Sequence, residues 1–140
     1  MEKIIVSACL AGINCRYDGK SNLNLKIIKL INQGIAIPVY PEQLGGLPTP
    51  RIASEIKGDE VINKLGENVT EQFKKGAEET LNIAKTFNCK KAILVQKSPS
   101  CGCGLIYDGN FSGKLIQGDG ITTRLLKQNN IKVITEKDLE

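Results

Sequence analysis

The stretch Ile4–Tyr40, IIVSACLAGINCRYDGKSNLNLKIIKLINQGIAIPVY, decides how the chain folds. It begins with a short apolar run weighted toward β-branched residues, Ile4–Ala8, which predicts a strand. In Leu23–Gln33, the residues Leu23, Ile27, Leu30 and Ile31 recur at helical spacing on one face, and Gly34 supplies the stop. Ile35–Tyr40 reads as a second strand. Strand, helix and strand in close succession imply a right-handed crossover between parallel neighbours.

The same alternation continues outward. After the second strand, Pro38, Pro41, Pro48 and Pro50 fall together with Gly45 and Gly46, so this segment is a stiff, irregular loop. Glu60–Leu65 adds a short piece of structure. A long helix is expected from Thr70, read as its N-cap, with Glu71 in the first turn and Phe73, Ala77, Leu81 and Ala84 on its apolar face. Ala92–Val95 is a third strand, and Leu105–Leu115 is a hairpin around Tyr107-Asp108-Gly109-Asn110-Phe111. Gly120–Asn129 is a last helix and Ile131–Ile134 a fourth strand. The expected fold is α/β: a three-layer, Rossmann-like, mostly parallel sheet of about four strands with helices on both faces and a small hairpin. Residues 1–140 are expected to form a single domain, with no repeats and no low-complexity segment.

Composition narrows the chemistry. The 140 residues include no histidine and five cysteines. A Ser-His-Asp or Cys-His arrangement cannot form within one chain, and neither an imidazole zinc site nor a histidine general base is available. Nineteen basic against fifteen acidic residues give a net charge of +4. The lysines are scattered rather than striped, so no nucleic-acid partner is expected. The N-terminus enters the first strand without a signal-peptide pattern, and no stretch is long enough to span a bilayer. An odd cysteine count without a secretion signal points to the reducing cytoplasm, with no membrane partner and a monomer or homodimer as the expected state.

Parallel sheets bind ligands outside the carboxyl ends of their strands. Cys9 and Cys15 follow the first strand, Tyr40, Pro41 and Glu42 the second, and Ser98, Ser100, Cys101 and Cys103 the third. Soft thiolates without imidazole suit an iron–sulfur cluster or an all-cysteine zinc site. The spacing, C-x5-C plus C-x-C, matches neither a zinc finger nor a ferredoxin, so both remain open. Cys103 reads as a fourth ligand or as a spare, and Cys89, at the end of the long helix, as a packing residue. Glu42, fixed by the proline before it, suits general acid or base work. Arg16 and Arg51 sit in the Gly/Pro-rich loops, where a planar fork could bind substrate or staple the loop; Arg124 is a third arginine among many lysines. Ser98 and Ser100 could donate hydrogen bonds to substrate. The glycines from Gly113 to Gly120 lack the Lys-Ser/Thr ending of a phosphate-binding loop.

The segments SACLAGINCRYDG (7–19), VYPEQLGGLPTPR (39–51), GENVTEQFKKGAE (66–78), KSPSCGCGLIYDGNFSGKL (97–115) and GDGITTRLL (118–126) span nearly the whole chain. Together they resemble the family catalogued as domain of unknown function 523, which includes members similar to thiouracil desulfidase. The resemblance implies an oxygen-sensitive [4Fe–4S] cluster held by three cysteines, here Cys9, Cys15 and Cys101, with Cys103 as the substitute ligand. It implies non-redox desulfuration of a small thiolated nucleobase, thiouracil giving uracil and hydrosulfide, with the substrate sulfur on the iron that no cysteine holds. Glu42 and Ser98 would be the catalytic pair. One position departs: many members carry cysteine before the Pro-Glu dipeptide, where this chain has Tyr40. Alternatives are a structural zinc or ligand-binding module, and a sulfur-transfer enzyme acting on another nucleobase or tRNA.

Overall fold

Side chains alternating at period two give the central sheet two buried faces in the computed structural model, which describes residues 2–139. In chain order the elements are β1 (Ile4–Ser7), a 3-10 turn (Ala8–Ala11), α1 (Leu25–Asn32), β2 (Ala36–Val39) and α2 (Pro41–Leu44). A hairpin of β3 (Ser54–Lys57) and β4 (Glu60–Asn63) follows, then α3 (Thr70–Thr86) and β5 (Lys91–Leu94). A second hairpin, β6 (Leu105–Tyr107) and β7 (Leu115–Gln117), precedes α4 (Ile121–Gln128), β8 (Lys132–Thr135) and a closing 3-10 turn (Glu136–Leu139).

The sheet runs β2-β1-β5-β8 with every pairing parallel. Ile5, Val39, Ala92, Leu94 and Val133 point to one face, under Leu81 and Ala84 of α3 and Leu126 of α4. Val6, Ala36 and Ile93 point to the other, under Ile27 of α1. This is the expected three-layer α/β architecture. No helix among the described residues is long and apolar enough to cross a membrane.

Several local expectations need correction. Helix α1 begins later than its apolar pattern, because the Asn24 Oδ1 accepts from the Lys26 and Ile27 amides at 3.0 and 3.4 Å and sets the start there. Leu23 therefore lies outside the helix and is exposed. Thr70 is not a cap but the first residue of α3. Its Oγ1 accepts from the Val61 amide at 2.9 Å, and the Asn68 Oδ1 receives the Thr70 amide at 3.0 Å. The piece expected near Glu60–Leu65 is one arm of the β3–β4 hairpin, which brings Ile56 and Val61 against Phe73.

The single turn α2 is pressed against α3 with no side chains between the backbones. A Cβ at Gly76 would lie 2.0 Å from the Pro41 carbonyl oxygen, and one at Gly45 would lie 1.9 Å from that of Gln72. Helix propensity alone favours alanine over glycine by about 1 kcal/mol. A collision with a backbone oxygen cannot be relieved by a rotamer change, so overpacking, costing about 1–3 kcal/mol, outweighs it. Gly76→Ala is expected to lower Tm by several degrees; a thermal melt at or above the parent value would mean that the two helices separate freely.

Candidate functional site

The turns leaving β1, β2 and β5 meet at the carboxyl end of the sheet around a cavity of about 980 Å³. Cys9, Cys15, Glu42, Ser98 and Cys101 all line it. The fold thus brings together residues separated by 92 positions of sequence.

Cys9 lies in the 3-10 turn that follows β1, and Gly12, at φ 86°, ends that turn in a left-handed conformation. The Asn22 amide closes the loop onto the Cys9 carbonyl at 2.8 Å. The Asn22 Nδ2 donates to the Cys9 Sγ at 3.7 Å. Arg16 fixes that carboxamide by donating to its Oδ1 at 2.8 Å, and pairs with Asp18 at 3.0 Å. Cys101 sits in a turn held by Ser98, whose Oγ accepts the amides of Ser100 and Cys101, both at 3.0 Å. The start of α4 grips this turn from behind. A Cβ at Gly120 would lie 2.3 Å from the Ser100 carbonyl oxygen, and the Thr123 hydroxyl donates to the Cys101 carbonyl at 2.9 Å.

Glu42 stands in the first turn of α2, set by Pro41 at the helix start. The Arg51 Nη2 meets its Oε2 at 3.1 Å, with only 10% and 15% of the two side chains exposed. The Arg51 Nη1 donates to the Cys15 carbonyl at 3.2 Å and to the Thr49 Oγ1 at 3.2 Å. One guanidinium therefore ties the carboxylate loop to the cysteine loop, the planar, multi-donor use to which arginine is suited and lysine is not.

The thiols influence one another. The neighbouring Cys15 thiol, with burial adding to it, holds the Cys9 thiol well above its ordinary pKa, and Cys9 in turn lowers that of Cys15. Burial, with the Glu42 charge adding to it, pushes Cys101 up to about 12.

Some expected roles meet a different geometry. Ser100 does not reach the cavity: it is buried behind Cys101, its Oγ 2.7 Å from the Thr122 Oγ1. Arg16 and Arg51 line the cavity, but their forks hold Asn22, Asp18, Glu42 and the Cys15 carbonyl. Cys103 lies outside the cavity, half-buried against the sheet, with its Sγ 3.7 Å from the Val133 carbonyl oxygen. The four-cysteine zinc site is therefore not formed, and among the described residues no three His, Cys, Asp or Glu side chains close on one metal-ion position. Cys89 packs with Leu81 and Ala84, as expected.

Other residues at the site carry no motif. Asn22 is an ordinary loop residue until folding sets it beside Cys9. Glu136, in the turn after β8, lines the cavity and accepts the Gln96 amide at 3.1 Å; burial raises its carboxyl pKa. Only the position of each just beyond a strand or turn hinted at proximity.

A family model described as 2-thiouracil desulfurase matches residues 4–138. The chain is 47% identical to the Bacillus subtilis (strain 168) protein YbbK, described as uncharacterized, over 97% of each chain. It is also similar to a solved structure of TudS, described as a [4Fe–4S]-dependent thiouracil desulfidase, with 43% identity and a TM-score of 0.96. That match covers 99% of this chain and 93% of the other.

Proposed function

Because this chain belongs to the 2-thiouracil desulfurase family, we propose that it hydrolyses a thiolated pyrimidine, thiouracil and water giving uracil, hydrosulfide and a proton. No atom changes oxidation state overall. The observation that carries this reading is the meeting of Cys9, Cys15, Cys101 and Glu42 on one cavity.

The donor set fits a [4Fe–4S] cluster. Three thiols open on a common space, no imidazole competes, and they do not close on a point where a single ion would sit. Cys9, Cys15 and Cys101 would be the ligands. Held there by three thiolates, a cluster would supply Lewis-acid chemistry that polarises the carbon–sulfur bond.

The remaining steps fall to the chain's own groups. Glu42 takes a proton from the attacking water, and the Arg51 guanidinium holds its carboxylate toward the cavity. Both acceptor positions of the Ser98 hydroxyl face backbone amides, which leaves its O–H as a donor. Ser98 therefore orients the base or the water and does not act as a base itself. Glu42 then returns the proton as the carbon–sulfur bond breaks. A free nucleobase is the small-molecule partner, and an all-thiol ligand set suits the reducing cytoplasm.

Protein purified without oxygen is expected to carry iron and acid-labile sulfide and to convert 2-thiouracil to uracil and hydrosulfide in equal amounts. Iron-loaded protein that leaves thiouracil intact would refute the reading.

A further inference from the structure

Aromatic residues are scarce in this chain, three Tyr, three Phe and no Trp. Five of these six line the one cavity: Tyr17, Tyr40, Phe73, Tyr107 and Phe111. They come from four separate stretches of the sequence, so only folding collects them. A planar heterocycle is the ligand such a wall suits, because every base offers a π-face to an aromatic ring.

Phe111 is the most unusual of the five. It lies in the loop between β6 and β7 with φ at 55°, a left-handed conformation that bulky residues rarely adopt. A single carboxylate imposes it. The Glu55 Oε1, from β3, accepts both the Gly109 amide at 3.0 Å and the Phe111 amide at 3.1 Å. The loop is also seated closely on β3, since a Cβ at Gly109 would lie 2.7 Å from the Ile56 carbonyl oxygen. Asp108 closes the turn by accepting the Asn110 amide at 2.9 Å. Strain of this kind persists where its surroundings fix it, and it gathers at ligand clamps. Here the fixed residue is an aromatic one facing the reaction space.

We infer that Phe111 is a specificity-determining residue that binds the flat face of the pyrimidine, and that Glu55 is its positioning residue. The inference rests on the proposed reaction for the identity of the base, and on the cavity geometry for the rest. Without Phe111 the base keeps its sulfur contact and the catalytic carboxylate but loses the face that orders its plane. The defect should therefore fall on KM more than on kcat.

Two measurements on the iron-loaded protein test this. Phe111→Leu is expected to raise KM for thiouracil about tenfold, with kcat changed less than about threefold and iron content unchanged, and Phe111→Tyr to restore KM. Phe111→Trp places the only tryptophan of the chain at the site, and its emission is expected to change saturably on addition of uracil. In that background Glu55→Ala, which frees both loop amides, should weaken uracil binding several-fold, while Glu55→Gln, which keeps an acceptor, should recover most of it. An unchanged KM in Phe111→Leu, or tryptophan emission indifferent to uracil, would overturn the assignment. The two readings fail separately. Normal desulfuration with emission blind to uracil removes Phe111 alone, whereas a uracil response without desulfuration removes the reaction and keeps the aromatic site.

Discussion

Glu42→Gln is expected to keep its iron and sulfide and to lose about 10²–10⁴ in kcat, the range set by removing a positioned general base. Glutamine matches glutamate in shape, and its amide oxygen can still accept from the Arg51 Nη2, which lies 3.1 Å from the carboxylate. Arg51 also keeps its contacts to the Cys15 carbonyl and the Thr49 hydroxyl. The cysteine loop therefore stays braced, and the defect should lie in proton transfer rather than in assembly. Chemical rescue separates these further. In Glu42→Ala the emptied volume beside Arg51 suits a small carboxylate, so added formate should restore part of the lost rate. Turnover equal to the parent's in the iron-loaded Gln variant would take Glu42 out of the mechanism.

The sheet was legible because its information is periodic and local. Ile5 and Val6, or Ala92 and Ile93, point to opposite faces by alternation alone, and two buried faces require helices on both sides. The β3–β4 hairpin was less legible because Ser54–Lys57 and Glu60–Asn63 are short and polar, with Ile56 and Val61 their only buried apolar side chains. Thr70 misled as a cap because its hydroxyl answers an amide on β4, a partner nine positions away and off the helix. The site divided in the same way. That Cys9, Glu42 and Cys101 converge followed from strand order, since each lies just past a strand of one parallel sheet. The partners of Arg16, Arg51 and Ser100 did not follow, because side-chain bonds across the loops have no period. The aromatic wall was equally hidden, since residues 17, 40, 73, 107 and 111 share no spacing.

The lack of histidine acquires a constructive sense from this geometry. A chain without imidazole must divide proton transfer and electrophilic activation between different groups. Glu42 is held by a guanidinium with little water access, and the same guanidinium donates to the Cys15 carbonyl. One arginine therefore braces the carboxylate loop against the cysteine loop.

The same geometry makes the five cysteines unequal, and replacing them singly should divide them sharply. Alanine at Cys9, Cys15 or Cys101 is expected to abolish turnover and to reduce iron and acid-labile sulfide to background, because a cluster held by three thiolates cannot keep its place on two. No fourth thiol can step in. Cys103 points toward the Val133 carbonyl, away from the cavity, and Cys89 is buried beneath α3. Tyr40 lines the cavity but offers a phenol where a thiolate would be needed. Cys103→Ala should accordingly retain its iron, visible spectrum and activity, with a stability loss of about 1 kcal/mol for the partly buried sulfur. Cys89→Ala should do the same with a larger fall in Tm, since that thiol belongs to the buried cluster that includes Leu81 and Ala84. Iron retained in Cys101→Ala, or lost from Cys103→Ala, would mean that the ligand set crosses to the other side of the turn and that Cys103 takes the third position.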